Sequence, residues 1–276
     1  MIYDDLSFAE YTKMDGLNQS KLALFKRCPQ KFKHALTLER EDTDALRIGR
    51  AIHTAVFQPE LFNGEFLCLP EIDRRTTRGR EEYAAIVSAN PDKTVLKKDE
   101  FNRALEIATA VRGDRHVMKL IEGAHVEMSV QWTDSATDVL CKARLDCYNE
   151  ELGTVVDLKT TIDASPNGFS RKLYSYGYNR QAAWYLESLR AHNELAHHFV
   201  FAAVEKEPPY SLGLYRLSDE ALKLSRTENQ NLLMKYAACV RSDYWPGYTD
   251  GVADISIPKY GLTDMEEEYG TAEESL

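Results

Sequence analysis

The chain has 276 residues, of which 43% are hydrophobic and 28% are charged, a composition typical of a folded globular protein. Its net charge of −10 argues against a protein that coats nucleic acid through overall positive charge, although an enzyme can still bind DNA in a local basic groove. No apolar run approaches the roughly 20 residues needed to cross a bilayer, and the acidic N-terminus is unlike a signal peptide. We therefore expect a cytoplasmic protein without a membrane partner.

The chain has neither the cysteine pattern of a metal or disulfide site nor the pattern of an ATP-binding loop. The five cysteines are scattered and form no CxxC pair, which argues against a disulfide framework, a zinc ribbon and an iron–sulfur cluster. The phosphate-binding pattern GxxxxGK[ST] is also missing, so nothing suggests the use of ATP.

The N-terminal part of the chain is predicted to be helical. Apolar residues at helical spacing predict helices within residues 18–36, 45–62, 70–91 and 97–114. The first of these has Asn18 or Ser20 as its cap, and the second stops near Pro59. The third begins as a basic loop.

From residue 125, apolar residues recur at every second position. This alternation predicts strands within residues 125–132, 138–149 and 154–161. The turn "EELG" joins the last two strands into an antiparallel hairpin. A helix, a strand and a helix follow within residues 178–193, 197–209 and 220–243. This order predicts an α/β fold whose central mixed sheet contains an antiparallel meander flanked by helices.

No internal repeat or low-complexity linker divides the chain. We therefore expect a single domain over residues 1–262. Residues 263–276 are rich in acidic side chains and are predicted to form a flexible tail.

Asp146, Asp157 and Lys159 place charges on strands that otherwise carry apolar side chains. Alternation points Asp157 and Lys159 the same way, and the hairpin brings Asp146 close to Asp157. Glu127 lies on the polar face of the preceding predicted strand. Converging carboxylates favour a hard cation such as Mg²⁺ or Mn²⁺, beside which Lys159 could orient a water or stabilise charge on a phosphate. The pattern favours phosphodiester hydrolysis; the alternative is an exposed ion pair.

Asp146, a gap of ten residues, and Asp157-Leu158-Lys159 resemble the core of the PD-(D/E)XK nuclease superfamily. The flanking stretches "GRAIHTAVFQPELF", "YNRQAAWY" and "LNQSKLALFKRCPQKF" resemble its RecB-like, YqaJ-like branch. In order and spacing, the motifs are similar to those of the RecE (exonuclease VIII) nuclease domains, from "IYDDLSF" nearly to the C-terminus. The resemblance implies a restriction-endonuclease-like core.

The resemblance also implies a role for each polar residue of the site. The metal ligands would be His53, Asp146, Asp157 and the carbonyl of Leu158. Lys159 would position the attacking water, while Gln181 and Tyr185, which share a helix face, would line the site. Glu127 would bind a second metal or its waters. The plainer alternatives are that His53 and Tyr185 are core residues and that Glu127 faces solvent.

The densest basic run of the chain is a candidate for phosphate contacts and consists of Arg74, Arg75, Arg78 and Arg80. Its alternative is a solvated basic loop. Cys28 resembles the first cysteine of iron–sulfur relatives, but the C-terminal cysteines that those relatives need are missing, so no cluster is expected.

The RecE-type resemblance implies an ATP-independent, Mg²⁺-dependent exonuclease, with Mn²⁺ as a substitute, that enters double-stranded DNA ends. It would degrade one strand 5′ to 3′ and leave 3′ single-stranded tails for a RecT-like annealing protein. It would assemble as a homotetrameric ring in a bacterium that carries a phage or prophage recombination module. Two alternatives remain: a single-strand or flap nuclease similar to the CRISPR-associated RecB-like nucleases, and an inactive DNA-binding module.

Overall fold

The structure is a computed structural model that describes residues 1–38 and 43–269. Within these ranges the chain forms eight strands, β1 (Ile2–Tyr3), β2 (Phe66–Leu69), β3 (Thr94–Lys97), β4 (His125–Thr133), β5 (Leu140–Asn149), β6 (Thr154–Thr161), β7 (His198–Glu205) and β8 (Leu212–Arg216). The helices of the same ranges are α1 (Phe8–Lys13), α2 (Gln19–Arg27), α3 (Pro29–Ala35), α4 (Asp44–Phe57), α5 (Pro59–Glu65), α6 (Thr77–Ala89), α7 (Lys98–Gly113), α8 (Arg115–Ile121), α9 (Pro166–Ser175), α10 (Tyr178–Arg190), α11 (Asp219–Ser242) and α12 (Lys259–Tyr269).

A mixed sheet with the strand order β1-β4-β5-β6-β7-β8 forms the centre of the fold. Strands β4, β5 and β6 form an antiparallel meander, as predicted. Strand β7 runs parallel to β6, and a parallel neighbour requires a crossover connection, which α9 and α10 supply. Strands β2 and β3 form a separate parallel pair. The predicted α/β class with a central mixed sheet and flanking helices is confirmed.

The helix predicted over residues 18–36 is in fact two helices. A residue before proline avoids the α conformation, so Cys28 is extended (φ −170°, ψ 115°) and the chain turns there before Pro29 opens α3. Of the two predicted caps, Asn18 is the one that begins α2, where its side chain accepts the Lys21 N–H.

Several elements were not predicted, namely β1, β2, β3, β8, α1, α5, α8, α9 and α12. At the C-terminus, α12 covers residues 263–269 of the predicted flexible tail and buries none of its side chains. Residues 270–276 of that tail lie outside the described residues. No helix in the described part of the chain is long and apolar enough to span a membrane.

The sheet separates two apolar cores. One contains the buried faces of α2, α3, α9, α10 and α11, and the other contains those of α4, α5, α7 and α8. Residues of β5 reach both cores, because Leu145 packs in the first and Cys147 in the second. Strict alternation would place these two side chains on one face. The regular pleat is therefore interrupted at Asp146, which lies between them.

Lys142 of β5 is an unusual case of a fully buried lysine, with 2% of its surface exposed. Its Nζ donates to the carbonyls of Tyr11 (2.8 Å), Thr12 (3.4 Å) and Met14 (2.5 Å), which belong to the C-terminal turn of α1 and the residue after it. A cation suits this end of a helix because the last carbonyls lack intrahelical partners. Lys142 thus fixes α1 against the sheet.

Replacing Lys142 with methionine is expected to lower the free energy of unfolding by about 2 kcal/mol, because three carbonyls lose a charged donor. Urea denaturation measures this change. The matched control Lys223→Met lies on the exposed face of α11 and should change stability by less than about 0.5 kcal/mol. Equal stability of the two variants would show that the buried contacts contribute nothing.

Candidate active site

The active-site candidate begins where the central strands β5 and β6 separate. Their ladder runs from Asn149 to the pair Cys147–Val156 and then stops. Beyond it, the Asp146 carboxylate takes the place of a backbone acceptor, and its Oδ2 accepts the Leu158 N–H at 2.9 Å. A side chain inserted into the ladder satisfies the buried amide and at the same time holds the strands apart.

Asp146 is one of three side chains that converge at this opening. The ligand atoms of His53, Glu127 and Asp146 all lie within 4.8 Å of one another. His53 belongs to α4, which packs in the second apolar core, and its Nδ1 is 3.4 Å from Asp146 Oδ2. The ring of His53 is also hydrogen-bonded to the backbone of Leu158. The structure therefore brings together residues from α4, β4, β5 and β6.

Glu127 reaches this cluster through a strained backbone. It lies opposite Asp146 in the β4–β5 register, yet its φ is +53°, a conformation that side chains rarely adopt in a strand. Arg144 holds it there: Nε donates to Glu127 Oε2 at 2.7 Å, and Nη1 donates to Ser129 Oγ at 2.8 Å and to the Leu6 carbonyl at 2.7 Å. Strain of this kind persists where surrounding contacts enforce it, and it concentrates at functional sites.

A second cluster surrounds Asp157, which is completely buried. Lys159 Nζ lies 2.5 Å from Asp157 Oδ2, and Gln181 Nε2 donates to Asp157 Oδ1 at 3.1 Å. The same Gln181 amide donates to the Tyr185 hydroxyl at 2.9 Å. The Lys159 ammonium also lies 4.9 Å from the centre of the Tyr178 ring. Gln181 and Tyr185 thus form a hydrogen-bonded chain with Asp157, and Lys159 is ion-paired with the same carboxylate.

The site is electrostatically suited to a cation. Burial raises the pKa of Asp146 and of Glu127, and it raises the pKa of Asp157 to about 6. Burial alone would lower the pKa of Lys159, but the nearby carboxylates of Asp157 and Asp146 outweigh it and raise that pKa. Lys159 is therefore charged at neutral pH. Burial lowers the pKa of His53, so its ring is neutral and has a lone pair for a metal.

The residues present fit a divalent metal ion. One imidazole nitrogen and two carboxylate oxygens suit Mn²⁺ and Mg²⁺, and buried carboxylates without a cation are unfavourable. Asp157 Oδ2 is fully buried and accepts no aligned hydrogen bond from any residue that the structure describes, although Lys159 lies close. The compact ligand cluster contains Glu127, whereas the sequence prediction used Asp157 and the Leu158 carbonyl; that assignment stays a prediction.

The predicted phosphate-binding arginines are not part of this cluster. Arg75 pairs with Asp73 at 3.0 Å, and Arg74 stacks on Tyr83 with its guanidinium 4.0 Å from the ring centre. Arg74 also lines a cavity of about 480 Å³ at the ends of β2 and β3. Their role in DNA binding, together with that of Arg78 and Arg80, stays a prediction.

Sequence reasoning did not assign roles to Arg144 and Tyr178. Both had a signal in the spacing. Arg144 precedes Asp146 by two residues and so shares its strand face. Tyr178 precedes Gln181 by three residues and so shares its helix face.

The raised pKa of Asp157 predicts how the metal-free protein responds to pH. Since its folded-state pKa is about 6 and its ordinary value is 3.8, ionisation is harder in the folded state. The stabilisation that the protonated Asp157 gives to the folded state is complete below about pH 4, and it is lost as pH rises through 6. In a chelator, Asp157→Asn should therefore lose less stability than the wild type between pH 4 and pH 8, by up to about 3 kcal/mol.

Urea denaturation between pH 4 and pH 8 measures this effect. The control Asp254→Asn, on an exposed segment, should change stability by less than about 0.5 kcal/mol at every pH. An equal loss of stability between pH 4 and pH 8 in Asp157→Asn and the wild type would mean that the pKa of Asp157 is not raised in the folded protein.

Comparison with known proteins agrees with this architecture. Residues 18–256 match the family described as "PDDEXK-like domain of unknown function (DUF3799)". No curated protein matches the chain significantly. The fold is similar to that of a candidate exonuclease from Eubacterium rectale, with a TM-score of 0.62 and 16% identity over 94% of this chain and 98% of that one.

A phage-related exonuclease from Haemophilus somnus matches over 84% of this chain and 98% of its own, at 12% identity. Its TM-score of 0.37 is too low to support an argument. The family match, in contrast, spans most of the sequence and includes every residue of the two clusters. The chain therefore belongs to this PDDEXK-like family.

Proposed function

We propose that the protein is a metal-dependent, ATP-independent DNA exonuclease of the RecE type. It degrades one strand of a linear duplex 5′ to 3′ and leaves a 3′ single-stranded tail. The PDDEXK-like family and the nuclease fold support phosphodiester hydrolysis. The RecE-like motifs "GRAIH", "DLK" and "QAAWY" support the finer assignment.

One observation carries the proposal. Between the two apolar cores, the structure collects His53, Glu127 and Asp146 in one cluster and pairs Lys159 with Asp157 beside it. Buried charges are unfavourable unless they are paired or bind a metal, and natural proteins keep such sites mainly where a function requires them. An inactive module would not need so unfavourable an arrangement. Hydrolysis of a phosphodiester needs both the cluster that could bind a metal and the lysine beside it.

His53, Glu127 and Asp146 are the residues that would hold the metal ion. When bound, the ion supplies a bound water of lowered pKa and a counter-charge for the phosphate. Lys159 is the positive group that the chain itself supplies. Its ammonium has three donors, and Asp157 faces only one side of it, so the others can contact the attacking water or a phosphate oxygen.

Gln181 and Tyr185 act by positioning. Gln181 donates to Asp157 Oδ1, whereas Lys159 lies beside Oδ2, and the Tyr185 hydroxyl accepts from the same Gln181 amide. The chain of contacts Tyr185–Gln181–Asp157–Lys159 fixes the ammonium relative to the cluster. A shift in any member would move Lys159, and catalysis depends steeply on such placement.

We extend the proposal to the partner protein and the assembly. A RecT-like annealing protein would receive the 3′ tail, and a homotetrameric ring would retain the duplex. Both follow from the motif resemblance. The ring would allow the acidic surface, which reflects the net charge of −10, to face away from DNA.

Linear duplex DNA labelled separately at its 5′ and 3′ ends tests the proposal, in Mg²⁺ and without ATP. We expect early release of the 5′ label as mononucleotide, with covalently closed circles left intact. Lys159→Ala should lower the rate at least about 100-fold, because it removes the positive group beside the phosphate. The exposed control Lys223→Ala should keep the wild-type rate.

Other outcomes have distinct meanings. Nicked circles would identify an endonuclease, and early release of the 3′ label would reverse the polarity. Activity restricted to single strands or flaps would favour the alternative nuclease class. DNA binding without cleavage in Mg²⁺ or Mn²⁺ would identify an inactive module, and equal rates for Lys159→Ala and wild type would remove the site from the reaction.

A further inference from the structure

A series of near-parallel aromatic rings leads from the core to the surface beside the active site. Tyr215 stacks on Phe169 (centroids 5.3 Å apart, planes at 19°), and Phe169 stacks on Tyr178 (6.2 Å, 28°). Tyr178 stacks in turn on Tyr176 (5.6 Å, 23°). Phe169 is buried, whereas Tyr176 has 64% of its surface exposed. The series therefore ends in a ring that is open to solvent.

This open ring lies next to the proposed chemistry. The Tyr178 ring contacts Tyr176, and its centre is also 4.9 Å from Lys159 Nζ. Only one ring thus separates Tyr176 from the ammonium that would act on the phosphate. A group that stacks on Tyr176 would continue the series at the edge of the active site.

The backbone brings the rings of Tyr176 and Tyr178 together. Tyr176 directly follows α9, and its N–H donates to the Lys172 carbonyl at 2.9 Å. Tyr178 begins α10. Gly177 joins them in a left-handed conformation (φ +71°), and a Cβ there would collide with the Arg180 guanidinium. Glycine permits the tight turn that brings the rings together. The backbone of Tyr176 is therefore fixed before any ligand arrives, which lowers the entropy lost on binding.

We propose that Tyr176 is a stacking platform for an unpaired base of the DNA strand that is being cut, adjacent to the scissile phosphate. The choice of DNA rests on the proposed function; the platform rests on the ring geometry. Every base has a flat π-face, so stacking holds the strand without regard to its sequence. An exonuclease that moves along a strand requires this. The base on Tyr176 cannot remain paired and stacked in the duplex, so the end pairs must open at this site.

The chain contains a matched control for this surface. Tyr174 lies near the end of α9, two residues before Tyr176, and is 79% exposed. Its ring stacks on no aromatic ring in the parts of the chain that the structure describes. Removal of Tyr174 takes away the same exposed tyrosine surface but leaves the ring series intact.

The test measures binding of a short single-stranded oligonucleotide by fluorescence anisotropy in an Asp146→Asn background, which prevents cleavage. Tyr176→Ala should raise the Kd about 10-fold or more, whereas Tyr176→Phe and Tyr174→Ala should stay within about 2-fold of the parent. An oligonucleotide with abasic sites should bind the parent about as weakly as Tyr176→Ala binds the normal one. The two losses should not add, since they remove the same contact.

Three results would overturn the platform: equal Kd values for Tyr176→Ala and Tyr176→Phe, no effect of abasic sites, or no binding of single strands by the parent. These results differ from a failure of the proposed function. In that failure, Lys159→Ala would still cleave DNA, or the wild type would not. Lys159-dependent cleavage that ignores both Tyr176 and the bases would refute the platform alone.

Discussion

The hydrogen bond from the Leu158 amide to the Asp146 carboxylate is the contact on which the rest of the site depends. It ends the β5–β6 ladder after Cys147 and Val156 and keeps the two central strands apart. Without that separation, the middle of the sheet would be a continuous backbone ladder between two apolar cores. With it, His53 enters from one layer and Gln181 from the other, and both reach the same opening.

The opening places unfavourable features at the centre of the fold. Glu127 has a left-handed backbone within a strand, and burial shifts the pKa of each carboxylate upward. Two extensive apolar cores surround the site and offset this loss. Natural proteins often retain such local instability where a function requires it. Arg144 of β5 compensates part of this cost, because its guanidinium donates to Glu127.

Much of the sheet and its charged residues could be predicted from periodicity. Alternation in β4, β5 and β6 indicated the meander, and parity grouped Asp157 with Lys159. The break in alternation at Asp146 could not be predicted, because it arises from a tertiary contact with β6. For the same reason the sequence did not reveal that Arg144 holds Glu127.

Short elements escaped prediction for a different reason. β1 has two residues, and such a segment has too few side chains to show a period. The helix α9 lies in a stretch for which no element was predicted, so the Tyr176–Gly177–Tyr178 junction remained hidden. The alignment of its rings depends on the left-handed glycine and on Phe169 beneath it.

The most direct test of the site is electron paramagnetic resonance of bound Mn²⁺, with detection of nitrogen coupling. If His53, Glu127 and Asp146 form the metal site, Mn²⁺ should show coupling to one imidazole nitrogen. That coupling should disappear in His53→Gln, and Asp146→Asn should weaken Mn²⁺ binding while the protein stays folded. Tight Mn²⁺ binding without nitrogen coupling, or binding unchanged by Asp146→Asn, would contradict the assignment of these residues to the metal.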